Sequence, residues 1–148
     1  VSNVTAAKPL MPVDHQCRAF SFLPLCHVYE RMLNYLYLYC GLSVYYAESM
    51  DAISDNLKEV HPHMFVTVPR LLEKVYDKIV AKGQALTGVK KSLFFWALNL
   101  GMRYELDQDM GMWYAIQLKL ANKLIFSKWR EALGGNVKVI VSGGAALQ

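Results

Sequence analysis

Three places in this 148-residue chain combine residue types that could handle a carboxylate or a phosphate. His27 closes the run Leu23-Pro24-Leu25-Cys26-His27, Arg70 follows Val68-Pro69, and Ser142-Gly143-Gly144-Ala145-Ala146 follows the apolar run Val137 to Val141. An imidazole changes charge near neutral pH, so it can move a proton or meet an anion. A glycine pair after a strand exposes backbone N–H groups and lets a phosphate or an adenine ring approach the main chain. Each feature also fits a role without a ligand. His27 could simply end a helix, and Ser-Gly-Gly-Ala could be a tight turn.

Other candidates offer less. His61 and His63 flank Pro62, and no third ligand stands at a metal-binding spacing, so no metal site is assigned. Glu30 and Arg31 read as an exposed helix pair. Arg70, Lys74, Lys78 and Lys82 recur one turn apart and read as a solvated face, partly neutralised by Glu73 and Asp77. No serine, cysteine or carboxylate pair stands out as a nucleophile or an acid–base couple. The residues alone give an α/β ligand-binding piece without a reaction.

The elements that must position these residues alternate. Arg18 to Leu23 reads as a strand ended by Pro24, and Val28 to Cys40 as a helix closed by Gly41. Leu42 to Tyr46 is a second strand. Ser49 is placed to cap the next helix, with Asp51 in its first turn and Ile53, Leu57 and Val60 on its apolar face. Pro62 stops that helix, Met64 to Val68 is a third strand, and Pro69 opens a further helix at the position where its missing N–H matters least. Gly83 to Gly88 reads as a loop. Val89 to Tyr104 and Tyr114 to Leu133 read as helices, Gly134 and Gly135 as a stop, and Val137 to Val141 as a fourth strand. The fold class is therefore α/β: a partial parallel β-sheet with helices packed on its faces. In such a sheet ligands bind beyond the carboxyl ends of the strands, so shared membership would put His27 and the Gly-Gly loop on one rim.

Composition narrows the setting. Hydrophobic residues make up 54% and charged residues 19%, which excludes a disordered chain. The net charge of +4 comes without the interleaved basic and stacking residues of nucleic-acid binders, so no nucleic acid is expected. Cys17, Cys26 and Cys40 lack a C-x-x-C spacing and read as reduced, buried thiols of an intracellular protein. The uncharged run Met32 to Ala47 is shorter than the roughly 20 residues of a spanning helix. With Val1 at the start and Gln148 close behind an apolar run, neither end reads as a natural terminus.

Taken together, the motifs resemble one family. Leu23-Pro24-Leu25-Cys26-His27-Val28-Tyr29-Glu30-Arg31 is similar to the Leu-Pro-Leu-x-His-x-x-Glu motif of AMP-forming acyl-CoA synthetases. Val68-Pro69-Arg70-Leu71-Leu72-Glu73-Lys74-Val75 and Val139-Ile140-Val141-Ser142-Gly143-Gly144-Ala145-Ala146-Leu147 resemble the two motifs that follow it. Ser142 lies 73 positions after Pro69, with two long helical stretches between, and that extended connection is similar to the long-chain fatty-acid–CoA ligases.

The resemblance implies a single internal segment, 1–148, of the large AMP-binding N-terminal domain, with 83–135 as a helical insertion of long-chain members. It implies an enzyme that activates a long-chain fatty acid with ATP and Mg²⁺ to acyl-AMP, then passes the acyl group to coenzyme A. His27 would be the catalytic residue beside the carboxylate, and Arg31 a gate on the acyl tunnel walled by Leu33, Leu36 and Tyr37. Gly143 and Gly144 would border the acyl group, and Gly144, Ala145 and Ala146 the adenosine. The phosphate loop, the Mg²⁺-binding Glu and the C-terminal lysine of the family have no counterpart in this sequence, so the segment alone is expected to catalyse neither half-reaction and to self-associate. A fatty-acyl-AMP ligase or acyl-carrier-protein synthetase shares the adenylation step. A lipid- or membrane-surface module without catalysis is the alternative of another class, carried by the basic row and the apolar stretch Leu93 to Met102. The expected location is the cytoplasm, with peripheral contact at the inner membrane face.

Overall fold

A computed structural model describes residues 2–105 and 110–144. The chain divides into two units, 1–72 with 130–148, and 73–129.

The first unit holds four strands, β1 (Arg18–Ser21), β2 (Ser43–Tyr46), β3 (Met64–Thr67) and β4 (Val139–Ser142). They form one sheet in the order β2-β1-β3-β4, and every neighbouring pair is parallel. Alternate residues of a strand face opposite ways, and the core follows that period. Ala19, Met64 and Val66 meet Leu33, Leu36 and Tyr37 of helix α2 (Val28–Tyr39), with Val4 of α1 (Ser2–Ala7) in the same cluster. Phe20 and Phe65 point the other way and meet Leu57 of helix α3 (Ile53–Val60). The sheet is thus covered on both faces, and its carboxyl rim gathers the ends of β1, β3 and β4, as the alternation of elements predicts.

Local chemistry explains the joints. Gly41, at φ +75°, ends α2 in a left-handed cap in which Leu42 N–H donates to Tyr37 O and Gly41 N–H to Leu38 O. Helix α3 begins later than Ser49 implies. The Ser49 hydroxyl accepts from Ala52 N–H at 3.2 Å, capping the turn that precedes the helix, and Asp51 stays outside. His61 ends α3 at φ 49°, and its Nδ1–H donates to Gly134 O at 2.5 Å. His63 Nδ1 accepts from Arg18 N–H at 3.0 Å. The two histidines therefore hold backbone together. Among the described residues no three His, Cys, Asp or Glu side chains gather as a metal site.

The second unit is helical. It contains most of α4 (Pro69–Gln84), then α5 (Gly88–Met102), α6 (Gly111–Ala121), a π-helical turn at Asn122–Phe126, and the start of α7 (Ser127–Ala132). Helix α4 continues through Gly83 to Gln84, so the loop expected over Gly83 to Gly88 shortens to residues 85–87, and Phe94 of α5 fills the space a side chain at Gly83 would need. Ala97, Leu100 and Ala121 form the core, with Trp96, Tyr114 and Phe126 around them. Within the Leu93–Met102 stretch Phe94, Ala97 and Leu100 are buried, while Met102 is 70% exposed. No helix among the described residues is long and apolar enough to cross a membrane.

Candidate functional site

The rim is built by three strand-to-helix or strand-to-loop exits. Strand β1 leaves the sheet at Ser21, and Pro24 O accepts from His27 N–H at 3.0 Å in the turn that follows. His27 is the residue that caps α2. Its backbone is extended (φ −80°, ψ 133°) and its side chain makes no capping hydrogen bond. The imidazole is thus exposed at the carboxyl end of the sheet. One turn on, Arg31 N–H donates to His27 O, and the Arg31 side chain is also exposed.

Strand β4 delivers the second wall. Gly143 N–H donates to Thr67 O at 3.3 Å, continuing the ladder one step past the strand. A Cβ on Gly143 would stand 2.5 Å from the hydroxyl oxygen of Tyr29, so the phenol of α2's first turn rests directly on this glycine. Gly144 differs: at φ +86° it has nothing within 4 Å of a Cβ position and opens to solvent. His27, Gly143 and Gly144 therefore share one rim, with Arg31 on the same helix. Ala145 and Ala146 lie outside the described residues. Pro69 opens α4 from the end of β3, and Arg70 beside it is exposed.

Three sequence-based expectations differ from the structure. Leu33, Leu36 and Tyr37 do not wall an open tunnel; each is at most 2% exposed and packed on the sheet. Glu30 is not half of an exposed pair. It is 1% exposed, and only Arg31 faces solvent. Likewise only Cys17 of the three thiols is buried, while Cys26 is exposed and Cys40 half-buried.

Behind the rim lies a polar cluster that the charged pair Glu30-Arg31 concealed. Ser21 Oγ donates to Glu30 Oε1 at 2.5 Å, and Asn34 Nδ2 donates to the same oxygen at 3.2 Å. Tyr46 O–H donates to Asn34 Oδ1 at 2.9 Å. Glu30 Oε2 and the hydroxyls of Tyr29 and Tyr37 are buried without a partner among the described residues. Burial pushes the Glu30 carboxyl above its ordinary range, against the two hydrogen bonds that favour its charge. Burial also raises the Tyr29 and Tyr37 phenols, reinforced by the Glu30 charge. A spacing of one helical turn between Glu30 and Asn34 was the visible signal; Ser21, across the Pro24 turn, was the missing partner.

A family profile described as AMP-binding enzyme matches residues 1–148. The chain belongs to the AMP-binding enzyme family. Long-chain-fatty-acid–CoA ligase 5 of Rattus norvegicus is 32% identical over 152 residues, covering 99% of this chain and 21% of the relative. Long chain acyl-CoA synthetase 3 of Arabidopsis thaliana is 32% identical over 129 residues, covering 86% of this chain and 19% of the relative. The chain thus spans about a fifth of the length of the curated relatives it matches. Among solved structures, the adenylation domain of a carboxylate reductase from Mycobacterium chelonae superposes with a TM-score of 0.61 at 21% identity, over 99% of this chain and 19% of that one. That likeness shows the fold: in this AMP-binding family member the parallel sheet and its rim follow a known adenylation-domain architecture.

Proposed function

We propose that this chain is one segment of a long-chain fatty-acid–CoA ligase. In the whole enzyme a fatty-acid carboxylate oxygen attacks the α-phosphorus of ATP and pyrophosphate leaves; the thiol of coenzyme A then attacks the acyl carbonyl and AMP leaves. The observation that carries the reading is the meeting of two motifs on one rim, where Tyr29 beside His27 rests on Gly143. The names borne by relatives at 32% identity support the substrate class.

In this reading His27 is the catalytic residue of the segment. Its exposed imidazole stands beside the acyl carboxylate and the growing adenylate, where it stabilises developing negative charge. Arg31, one turn along and exposed, attracts the carboxylate as a gate to the acyl site. Gly143 and Gly144 border the acyl group. Gly144, with open space around it, lets the nucleotide lie against backbone together with Ala145 and Ala146. Mg²⁺ accompanies ATP, and its ligands come from outside this segment. Residues 83–135 are a helical insertion of long-chain members, the protein works in the cytoplasm with peripheral membrane contact, and the isolated segment is inactive and prone to self-association.

The test uses the full-length protein containing this chain. Supplied with a long saturated fatty acid, ATP, Mg²⁺ and coenzyme A, it should form acyl-CoA and AMP in equal amounts, detected by mass spectrometry. His27→Ala should lower the rate at least 10-fold. Formation of acyl-AMP without any thioester would reject the coenzyme A half of the proposal.

A further inference from the structure

The buried polar cluster behind the rim joins three elements at one level. Ser21 is the last residue of β1, Tyr46 the last residue of β2, and Glu30 and Asn34 lie one turn apart on α2. Glu30 Oε1 accepts from both Ser21 and Asn34, Asn34 Nδ2 also donates to Ser21 Oγ at 3.2 Å and to Glu30 O at 3.0 Å, and Tyr46 closes the chain on Asn34 Oδ1. Ser21, Glu30 and Asn34 are each at most 7% exposed. An apolar contact could pack the helix here at less desolvation cost, because a buried carboxyl is expensive unless well bonded. What such a cluster supplies is direction: hydrogen bonds fix the rotation of α2 about its axis and its height along the sheet, which apolar packing leaves softer.

We propose that Glu30 is a positioning residue of the ligase site: through Ser21, Asn34 and Tyr46 it fixes the first turn of α2, and thereby sets where His27 and Tyr29 stand against Gly143. The inference rests on the ligase reading for its catalytic consequence, but not for its structural one. Tyr29 immediately precedes Glu30, and His27 caps the same turn three residues before it, so a shift of this turn moves both. Tyr29 has no slack, since its phenol already touches Gly143. Glu30 itself touches no substrate. Its effect passes through the turn that it holds.

Two readouts in the full-length protein separate the claims. The first is amide hydrogen exchange of the peptide covering residues 27–31, compared with a peptide from α3. Glu30→Ala should speed exchange in the first peptide at least 10-fold and leave the second unchanged. The second is fatty-acid-dependent ATP–pyrophosphate exchange per folded enzyme. Glu30→Ala should lower kcat at least 10-fold with KM for ATP unchanged, and Glu30→Gln, which keeps one acceptor oxygen, should restore most of the loss. Should Glu30→Ala not fold, Ser21→Ala and Tyr46→Phe each remove one hydrogen bond and should move both readouts in the same direction by roughly threefold. Wild-type protection at residues 27–31 in Glu30→Ala overturns the proposal, as does faster exchange with unchanged kcat. A wild-type enzyme without any pyrophosphate exchange would instead sink the ligase reading, and the amide-exchange arm would still decide the role of Glu30.

Discussion

The phenol of Tyr29 rests on Gly143 so closely that one added methyl group at Gly143 would lie 2.5 Å from its oxygen. Two motifs from opposite ends of the chain are thereby locked side by side at the rim. Gly143→Ala must push Tyr29 or the β4 exit aside, and overpacking of this kind costs about 1–3 kcal/mol. Urea unfolding should register that loss. Tyr29→Ala should be destabilising alone, yet should recover part of the Gly143→Ala deficit in the double variant. Additive losses would show that the two residues do not press on each other.

The two glycines that follow α7 give a sharper contrast. Gly134 sits at φ +94°, and a Cβ there would collide with Leu57 O and lie 3.0 Å from His61 Cα; Gly135, at φ +80°, has open space. A left-handed L-residue costs roughly 1–2 kcal/mol from backbone alone. Gly135→Ala should cost about that much, and Gly134→Ala about 2–4 kcal/mol, because the collision adds to the strain. Equal effects in urea denaturation would contradict the geometry.

The buried carboxyl predicts a slope of stability with pH. Burial raises the folded pKa of Glu30 above its ordinary 4.5, so the folded state holds that proton more tightly than the unfolded one. Below 4.5 both states are protonated and the group is silent; as pH rises from 4.5 through the folded value, stability falls. The difference in unfolding free energy between wild type and Glu30→Gln should therefore move in favour of Gln as pH rises over that window. A difference independent of pH would mean that folding does not raise the pKa of this carboxyl.

His63 predicts the opposite slope. Its burial, with Lys138 and Arg18 nearby and only Asp14 opposing them, lowers its folded pKa below 6.5, and its Nδ1 must stay unprotonated to accept Arg18 N–H. Above 6.5 neither state carries the proton. As pH falls below 6.5 towards the folded value, the unfolded state takes the proton first and stability is lost. His63→Asn, which can present an acceptor to the same N–H, should lack this loss between pH 6.5 and the folded pKa when unfolding is followed by circular dichroism. An unchanged acid slope in that variant would assign it to other groups.

Much of the fold could be read because local signals agreed with the global one. Pro24, Gly41 and Pro69 mark joints by backbone chemistry alone, and the period-2 and period-3.6 patterns between them name the elements. His27, Gly143 and Gly144 could be placed on one rim because parallel strands all present their carboxyl ends to the same side. Glu30 could not be read in this way. A carboxylate next to an arginine on a helix looks solvated, and its burial depends on Ser21 across a proline turn and on Asn34 below it. The π-helical turn at Asn122–Phe126 was not legible either: Ile125 and Phe126 pack on the cluster of Ala97, Leu100 and Ala121, a contact with a helix distant in sequence that no local propensity encodes.

The central claim is the proposal that this segment supplies the acyl- and adenine-facing rim of a ligase whose phosphate loop, Mg²⁺-binding Glu and C-terminal lysine lie elsewhere. Fatty-acid-dependent exchange of labelled pyrophosphate into ATP tests it most directly, run in parallel on the full-length protein and on the 148-residue chain. The account predicts exchange in the full-length protein, a loss of at least 10-fold in its His27→Ala variant, and none in the isolated chain. Exchange by the isolated chain, or full-rate exchange without His27, would contradict it.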